Sequence, residues 1–344
     1  MHNFLKAGLL AAGIAIAFIF SWEMIVRSKG YPISYDDGGP LWSYHRARVY
    51  EPADKATVFI GSSRIKYDLD IPTWKSLTGE DAVMLAIEGN SPLPVLENLA
   101  NDNKFRGKLI VDVTEILFFS FSPYNNEEPR KNIKYFKDIT PAQRAGFYLN
   151  HFLESKFVFL DKEVLSLNAF MNDWHIKDRP GVFRPPDFPW QFGRVSFDRQ
   201  DHMTDSFVAD TNLQNQVKGI WAFLRSISTE KPPQGPVLDS IFQVVKINTD
   251  KIRARGGTVL FVRTPSSGGF WMGEQMGFPR TAYWDRLLAV TQVPGIHFAD
   301  YPAIDHFQCP EFSHLSPRDA IVFTKEFVRI LQSEKGWSFA NPSH

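Results

Sequence analysis

The chain has 344 residues, 38 Lys and Arg against 38 Asp and Glu, 44% hydrophobic residues and one cysteine. That length allows one large domain or two ordinary ones, each able to bury a core. Formal neutrality argues against a nucleic-acid partner, because phosphate affinity rests on a surplus of Lys and Arg over a continuous surface, and the lone Cys309 can close no internal disulfide and build no cysteine-based zinc site.

The N-terminus comes first in chain order. No residue from Ala7 to Trp22 is charged, and over residues 5–26 only Lys6 and Glu23 interrupt the apolar run. At about 1.5 Å per residue, roughly 20 such residues cross the hydrocarbon layer of a bilayer. A cleaved signal peptide is the competing reading, with Lys6 as its positive region. Its small-residue site, Ala15-Ile16-Ala17, lies inside the apolar run, which continues through Phe18, Ile19 and Phe20. The run therefore reads as an uncleaved single-pass membrane anchor. Flanking charge hardly orients it, with Lys6 and the amino terminus opposing Arg27 and Lys29. The short leading tail predicts a large C-terminal part on the exported side, periplasmic or extracellular.

A connector over 27–54, rich in Gly, Pro and Asp from Gly30 to Pro40, precedes a globular region over 55–335. Short runs of Val, Ile and Phe recur there, at Thr57–Gly61, Val83–Ile87, Leu109–Val113, Thr258–Val262 and, weakly, Ile296–Phe298. Amphipathic stretches lie between them. One is Leu238 to Arg255, with Leu238, Ile241, Phe242 and Val245 at helical spacing and Gly256-Gly257 as its stop. Continuous apolar strands alternating with helices predict an α/β domain with a mostly parallel sheet covered on both faces. Ligand sites in such sheets lie at the carboxyl ends of the strands. Residues 120–231 break the alternation and read as an insertion between the third and fourth strands, part helix and part loop.

The first strand runs into Gly61-Ser62-Ser63-Arg64. A serine where a buried strand turns into a helix presents its hydroxyl at the open edge of the sheet, near backbone N–H groups able to stabilise an oxyanion. Gly-Ser-Ser is also an ordinary helix-capping sequence. Near the end, the chain reads Glu311-Phe312-Ser313-His314-Leu315-Ser316-Pro317, followed by an amphipathic stretch through Val328 and Leu331. Glu and His three apart on a turn can set a carboxylate against one imidazole nitrogen and leave the other to accept a proton from a serine. Alone, Glu311 reads as a solvated residue and His314 as a surface or capping one. With the upstream serine they form a Ser-Glu-His set.

These blocks resemble the SGNH/GDSL hydrolase superfamily over about residues 55–335, apart from the insertion. Gly61-Ser62-Ser63 stands for its Gly-Asp-Ser, with Ser62 in place of Asp. Gly89 in Ile87-Glu88-Gly89-Asn90-Ser91 stands for the second-block glycine. Glu311 to Pro317 stands for Asp-x-x-His-Leu-Ser-Pro, with Glu for Asp. The resemblance implies a flavodoxin-like, three-layer fold, Ser63 as nucleophile, His314 as base and Glu311 as its acid. It also implies an oxyanion hole built from Ser63 and Gly89, with Asn90 beside them. The family's third block, Gly-x-Asn after strand three, is missing; the chain reads Val111-Asp112-Val113-Thr114-Glu115. Loss of one such donor costs roughly 10²–10³ in rate, and Thr114, Asn90 and Arg263 are the candidates to replace it.

Arg64 and Arg263 are candidates for binding an anionic substrate, and Arg263 has the structural alternative of pairing with Glu115 or Glu88. The substitutions resemble divergent membrane-tethered relatives that work beside membrane-bound O-acyltransferases in decorating exported polysaccharides, which implies a carbohydrate or acyl-ester substrate and such a transferase as partner. Trp174, Trp190, Phe192, Trp221, Phe270, Trp271 and Trp284 are able to stack on sugar rings, or simply to fill the core. His297 and His306 lie in no metal-ligand spacing, and no phosphate loop occurs, so neither metal nor cofactor is expected. Two readings follow: a serine esterase or O-acyltransferase, and a catalytically silent subunit that keeps the fold to bind or assemble a polysaccharide-modification complex.

Overall fold

The computed structural model describes residues 2–166, 169–171 and 186–339. They fall into two compact units, Met1–Asp36 with Thr140–Arg184, and Asp37–Ile139 with Pro185–His344.

The second unit is α/β. Its strands are β1 (Ala56–Ile60), β2 (Asp81–Met84), β3 (Lys108–Asp112), β4 (Arg194–Val195), β5 (Asp201–His202), β6 (Thr258–Arg263) and β7 (Gly295–His297). Five of them form one sheet in the order β2-β1-β3-β6-β7, with every neighbouring pair parallel. β4 and β5 make a separate antiparallel ribbon. The runs of consecutive apolar residues follow from burial on both faces. Alternate side chains point to opposite sides. Val58, Ile60, Leu109, Val111, Val259 and Phe261 join a core with Leu96, Leu99, Ile241, Phe242 and Leu287 from helices Leu93–Ala100, Gly235–Ala254 and Trp284–Thr291. Phe59, Ile110, Leu260 and Val262 join the opposite core with Trp74, Phe323 and Phe327 from helices Ile71–Thr78 and Pro317–Glu334.

From β1 the chain crosses to β2 on one side, then returns past β1 to β3 on the other. The direction of winding therefore reverses between β1 and β3, which is where open α/β sheets form ligand crevices. The second strand begins and ends earlier than its apolar run suggests, yet the backbone stays in register beyond it: Leu85 N–H donates to Phe59 O at 2.8 Å and Ile87 N–H to Gly61 O at 3.2 Å. This extension carries Glu88 and Gly89 alongside the turn that follows β1.

The stretch 120–231 divides. Helix Pro123–Asp138, the β4/β5 ribbon and helix Thr211–Ile227 belong to the α/β unit, whereas residues 140–184 fall in the other. The connector 27–54 is also partly folded, since helix Gly39–Ala47 buries Leu41 and Trp42 in the α/β unit.

In the first unit, helix His2–Ser28 contains a 25-residue segment, Phe4–Ser28, long and apolar enough to cross a membrane. Near its C-terminal end Val26 packs with Val158 and Leu165, with Trp22, Tyr31 and Phe159 around them. The Glu23 carboxylate accepts from the N–H groups of Val158 at 3.0 Å and Phe159 at 3.1 Å. Helix Pro141–Glu154 starts from a capping box in which Thr140 and Gln143 satisfy each other's backbone N–H groups.

Candidate active site

β1 delivers the chain to Gly61, where an added Cβ would lie 2.5 Å from the Asp112 Cβ and 2.8 Å from the Ile65 Cγ2. Only glycine lets the turn pass this close to β3. Ser62 is the N-cap, and Ser63 begins the short helix Ser63–Asp68. The Ser63 Oγ lies 2.8 Å from His314 Nε2. His314 Nδ1 lies 2.9 Å from Glu311 Oε1. The two remote segments, 251 positions apart, thus meet in one hydrogen-bonded chain.

The Glu311–His314 loop makes this geometry through a strained residue. Phe312 has φ +80°, a left-handed conformation that costs a non-glycine residue about 1–3 kcal/mol. It curls the carboxylate back under the histidine, so that Glu311 Oε1 also accepts the N–H of Ser313 at 3.2 Å and of His314 at 2.7 Å. Glu311 Oε2 accepts the indole N–H of Trp221 at 2.5 Å. Burial pushes this carboxyl up, but the imidazole and these donors outweigh it and hold Glu311 below the ordinary carboxylate range. An ionised acid can only accept, so Nδ1 carries the imidazole proton. Nε2 is then left as the acceptor for the Ser63 hydroxyl. The ring of His314 is 1% exposed, beneath Tyr67, Phe192 and Trp221 with centroids at 4.5, 5.7 and 6.3 Å.

Behind the serine turn, Ser62 Oγ meets Thr114 Oγ1 at 2.8 Å, and Thr114 Oγ1 donates to Asp112 Oδ2 at 3.0 Å. Burial pushes Asp112 up to about 6, against the opposing pull of Arg64, Thr114 and the Ser62 N–H. Each candidate to replace the missing asparagine is engaged elsewhere. Thr114 faces Asp112 and Ser62. Asn90 Nδ2 donates to Glu88 O at 2.7 Å. Arg263 is fully buried, its Nε on Glu115 at 3.0 Å, its Nη1 on Thr264 O and Ser266 Oγ, and its Nη2 on Glu274.

Arg263 is therefore corrected from a substrate-binding candidate to a buried structural ion pair: all three nitrogens are consumed. Of its two expected partners it takes Glu115, with Glu274 as the second. Glu88 instead pairs with Lys66. Arg64 sits beside Ser63, with Nη2 on Glu274 and Nε on Ser313 Oγ at 3.2 Å, while its buried Nη1 meets no hydrogen-bond partner among the described residues. Burial raises Glu274, yet the two guanidiniums prevail and hold it at about 2. Gly89 has φ +63° and is exposed at the head of the loop after β2.

Sequence reasoning missed two groups. Trp221 was read as a sugar-stacking or core ring, whereas its N–H satisfies the acid. The buried Lys66 ammonium meets Asp37 and Glu88 at 2.6 Å and Asp201 at 3.0 Å. Burial would lower Lys66, but the three carboxylates raise it. Arg199 joins them, paired with Asp37 and donating to Met84 O at 2.7 Å and Ala86 O at 3.1 Å. The helix that carries it, Ser63-Arg64-Ile65-Lys66-Tyr67-Asp68, holds two other charged residues, so nothing in the sequence set Lys66 apart.

The other aromatics separate by role. Trp190 lies near the Arg194 guanidinium, Phe270 packs edge-on to Trp221, and Trp271 packs on Phe298 and Arg263. Trp284 is core, and Trp174 lies outside the described residues. His297 is buried with Nδ1 accepting the Ala299 N–H, and His306 is exposed beside Pro302 O. Among the described residues no group of three or more His, Cys, Asp or Glu is placed to hold a metal ion. Comparison with known proteins finds no family model that matches the chain and no curated protein that matches it.

Proposed function

We propose that the α/β unit is an SGNH-type serine esterase or O-acyltransferase acting on O-acyl groups, acetyl foremost, of an exported carbohydrate, tethered by helix His2–Ser28. The supporting observation is the continuous chain Ser63–His314–Glu311, at 2.8 and 2.9 Å, at the edge where the winding of the sheet reverses. The flavodoxin-like strand order, two-one-three-four-five among the parallel strands, also favours this reading.

In this mechanism His314 Nε2 takes the Ser63 proton as Oγ attacks the ester carbonyl. The tetrahedral oxyanion is held by the backbone N–H groups of Ser63 and Gly89. Its collapse breaks the ester C–O bond, and the leaving alcohol takes the proton from His314. Water, or a sugar hydroxyl, then gives its proton to His314 and attacks the acyl-serine; collapse breaks the acyl–Oγ bond, and His314 returns the proton to Ser63. Transfer to a sugar would place the protein beside a membrane-bound O-acyltransferase as acyl supplier. Tyr67, Phe192 and Trp221, with ring centroids 4.5, 5.7 and 6.3 Å from that of the histidine, are the aromatic faces packed against the reacting groups.

A second reading, a silent subunit that binds or assembles a modification complex, is favoured by the missing third-block asparagine, where Thr114 faces Asp112 and Ser62 and Arg263 is consumed by Glu115 and Glu274. Reaction of the full chain with a fluorophosphonate separates the two. The enzyme reading expects covalent labelling that Ser63→Ala abolishes along with acetyl-ester turnover. Equal behaviour of wild type and Ser63→Ala, with partner binding intact, would leave the silent subunit.

A further inference from the structure

Helix Pro141–Glu154 carries an apolar stripe turned away from its own unit. Ala145, Tyr148, Leu149 and Phe152 follow the i, i+3, i+4, i+7 spacing that lines one helical face. Tyr148, Leu149 and Phe152 are 59%, 61% and 59% exposed. The opposite face holds Phe147, His151 and Glu154, half-buried, with the His151 ring 5.5 Å from Tyr35. A helix of a water-facing protein would place polar residues where this one has Leu149 and Phe152.

The helix is tied to the apolar N-terminal helix. It leads directly into the 3-10 turn Val158–Leu160, which packs on both helices. Two backbone N–H groups of that turn are held by Glu23, and the Arg27 guanidinium holds Lys156 O at 2.8 Å. The 25-residue segment Phe4–Ser28 would extend about 37 Å, longer than the roughly 30 Å hydrocarbon layer. Its last turns, with Trp22, Glu23 and Arg27, then fall at the level of the lipid headgroups, where tryptophan and cationic side chains are favoured. The turn Val158–Leu160 and the helix before it are fixed to that level.

We propose that helix Pro141–Glu154 is an in-plane interfacial helix, its Ala145–Tyr148–Leu149–Phe152 face inserted among the acyl chains of the membrane that the N-terminal helix spans. This rests on the reading of that helix as an anchor. Exposed Arg144 and Lys156 at the helix edges suit anionic headgroups.

The test attaches an environment-sensitive fluorophore at Leu149→Cys, and separately at Phe152→Cys, in the full chain reconstituted into phosphatidylethanolamine–phosphatidylglycerol vesicles. Cys309 is buried and its thiol is pushed up by burial, so wild-type protein provides the unlabelled blank. Asn150→Cys, about 150° from the stripe centre on the helical wheel, and Asp239→Cys on the exposed surface of the α/β unit are controls. The expected result is a blue shift and several-fold stronger quenching by acyl-chain nitroxides at 149 and 152 than at 150 or 239. Equal access of a soluble quencher to all four positions, in protein that resists alkaline carbonate, overturns the interfacial helix and assigns the stripe to a protein contact. Extraction of the whole chain by carbonate instead overturns the anchor, and the helix proposal with it.

Discussion

Trp221 donates its indole N–H to Glu311 Oε2 at 2.5 Å, joining helix Thr211–Ile227 to the carboxylate that faces His314. The opposite oxygen of the same carboxylate serves His314. One carboxylate is thus held from both sides, and its orientation fixes the imidazole that faces Ser63.

Trp221→Phe keeps the ring and removes the donor. An oxygen of a fully buried carboxylate loses its partner, at about 1–3 kcal/mol. Because the lost bond favoured the ionised acid, the Glu311 carboxyl rises toward its ordinary range. Under the proposed esterase function, the acid limb of acetyl-ester turnover therefore moves to higher pH, kcat falls about tenfold or less and KM holds. Trp221 is a positioning residue here, and an unchanged pH profile in the variant would remove it from that role.

Glu311→Gln tests the tautomer directly. A glutamine amide that donates to His314 Nδ1 forces the imidazole proton onto Nε2, where it confronts the Ser63 hydroxyl as a second donor. Fluorophosphonate labelling of Ser63 is expected to slow by roughly 10²–10⁴ while the fold persists, since the substitution is nearly isosteric. Labelling at the wild-type rate would mean that Glu311 does not set the histidine.

Much of this site was legible because its chemistry is local. Gly61-Ser62-Ser63 and Glu311 to His314 are each short segments, and each carries its own turn. What lay beyond the sequence was pairing over distance. Trp221 and Glu311 are 90 positions apart, and Lys66 finds Asp201 across 135 positions, so neither shows any periodicity or spacing to read. The sequence leaves Arg263 open between an anionic substrate and a carboxylate partner; the placement of Glu115 and Glu274 beside it decides for the second. The layered sheet followed from its apolar runs, whereas the split of residues 120–231 between two units depends on tertiary packing against the N-terminal helix.

Asp112 gives a pH-dependent stability. Its carboxyl is raised from 3.8 to about 6 in the folded chain, so the folded state binds this proton more tightly than the unfolded state. Stability from this group is full below about 4, is lost as pH rises through 6, and stays lost above. The integrated effect is on the order of 3 kcal/mol. Asp112→Asn cannot titrate. Urea melts at pH 4 and pH 7 should show the variant gaining about that amount relative to wild type as pH rises. Parallel curves for the two proteins would show that Asp112 titrates normally.

The buried cation at Lys66 makes a contrasting pair of substitutions. Burial and the neighbouring Glu88 raise Asp201 well above its ordinary value, so of the carboxyls around Lys66 its charge is the least favoured, and Asp201→Asn removes little. Its cost is expected to stay near 1 kcal/mol. Lys66→Met is different, because Asp37 and Glu88 lose the ammonium that both contact at 2.6 Å. Glu88 is half-exposed and Asp37 keeps Arg199, so the loss falls below the about 3–5 kcal/mol of a fully buried pair broken from one side. Lys66 is the charge that chiefly lowers the Glu88 carboxyl, so without it Glu88 rises in the folded state; the variant's deficit is smallest at acid pH, where Glu88 is protonated, and grows as pH rises. Because Glu88 leads directly into Gly89, the same variant should also slow labelling of Ser63. Denaturation of both proteins at pH 5 and pH 8 checks the argument: equal losses for Lys66→Met and Asp201→Asn at both pH values would sink the charge network as the element that holds this loop.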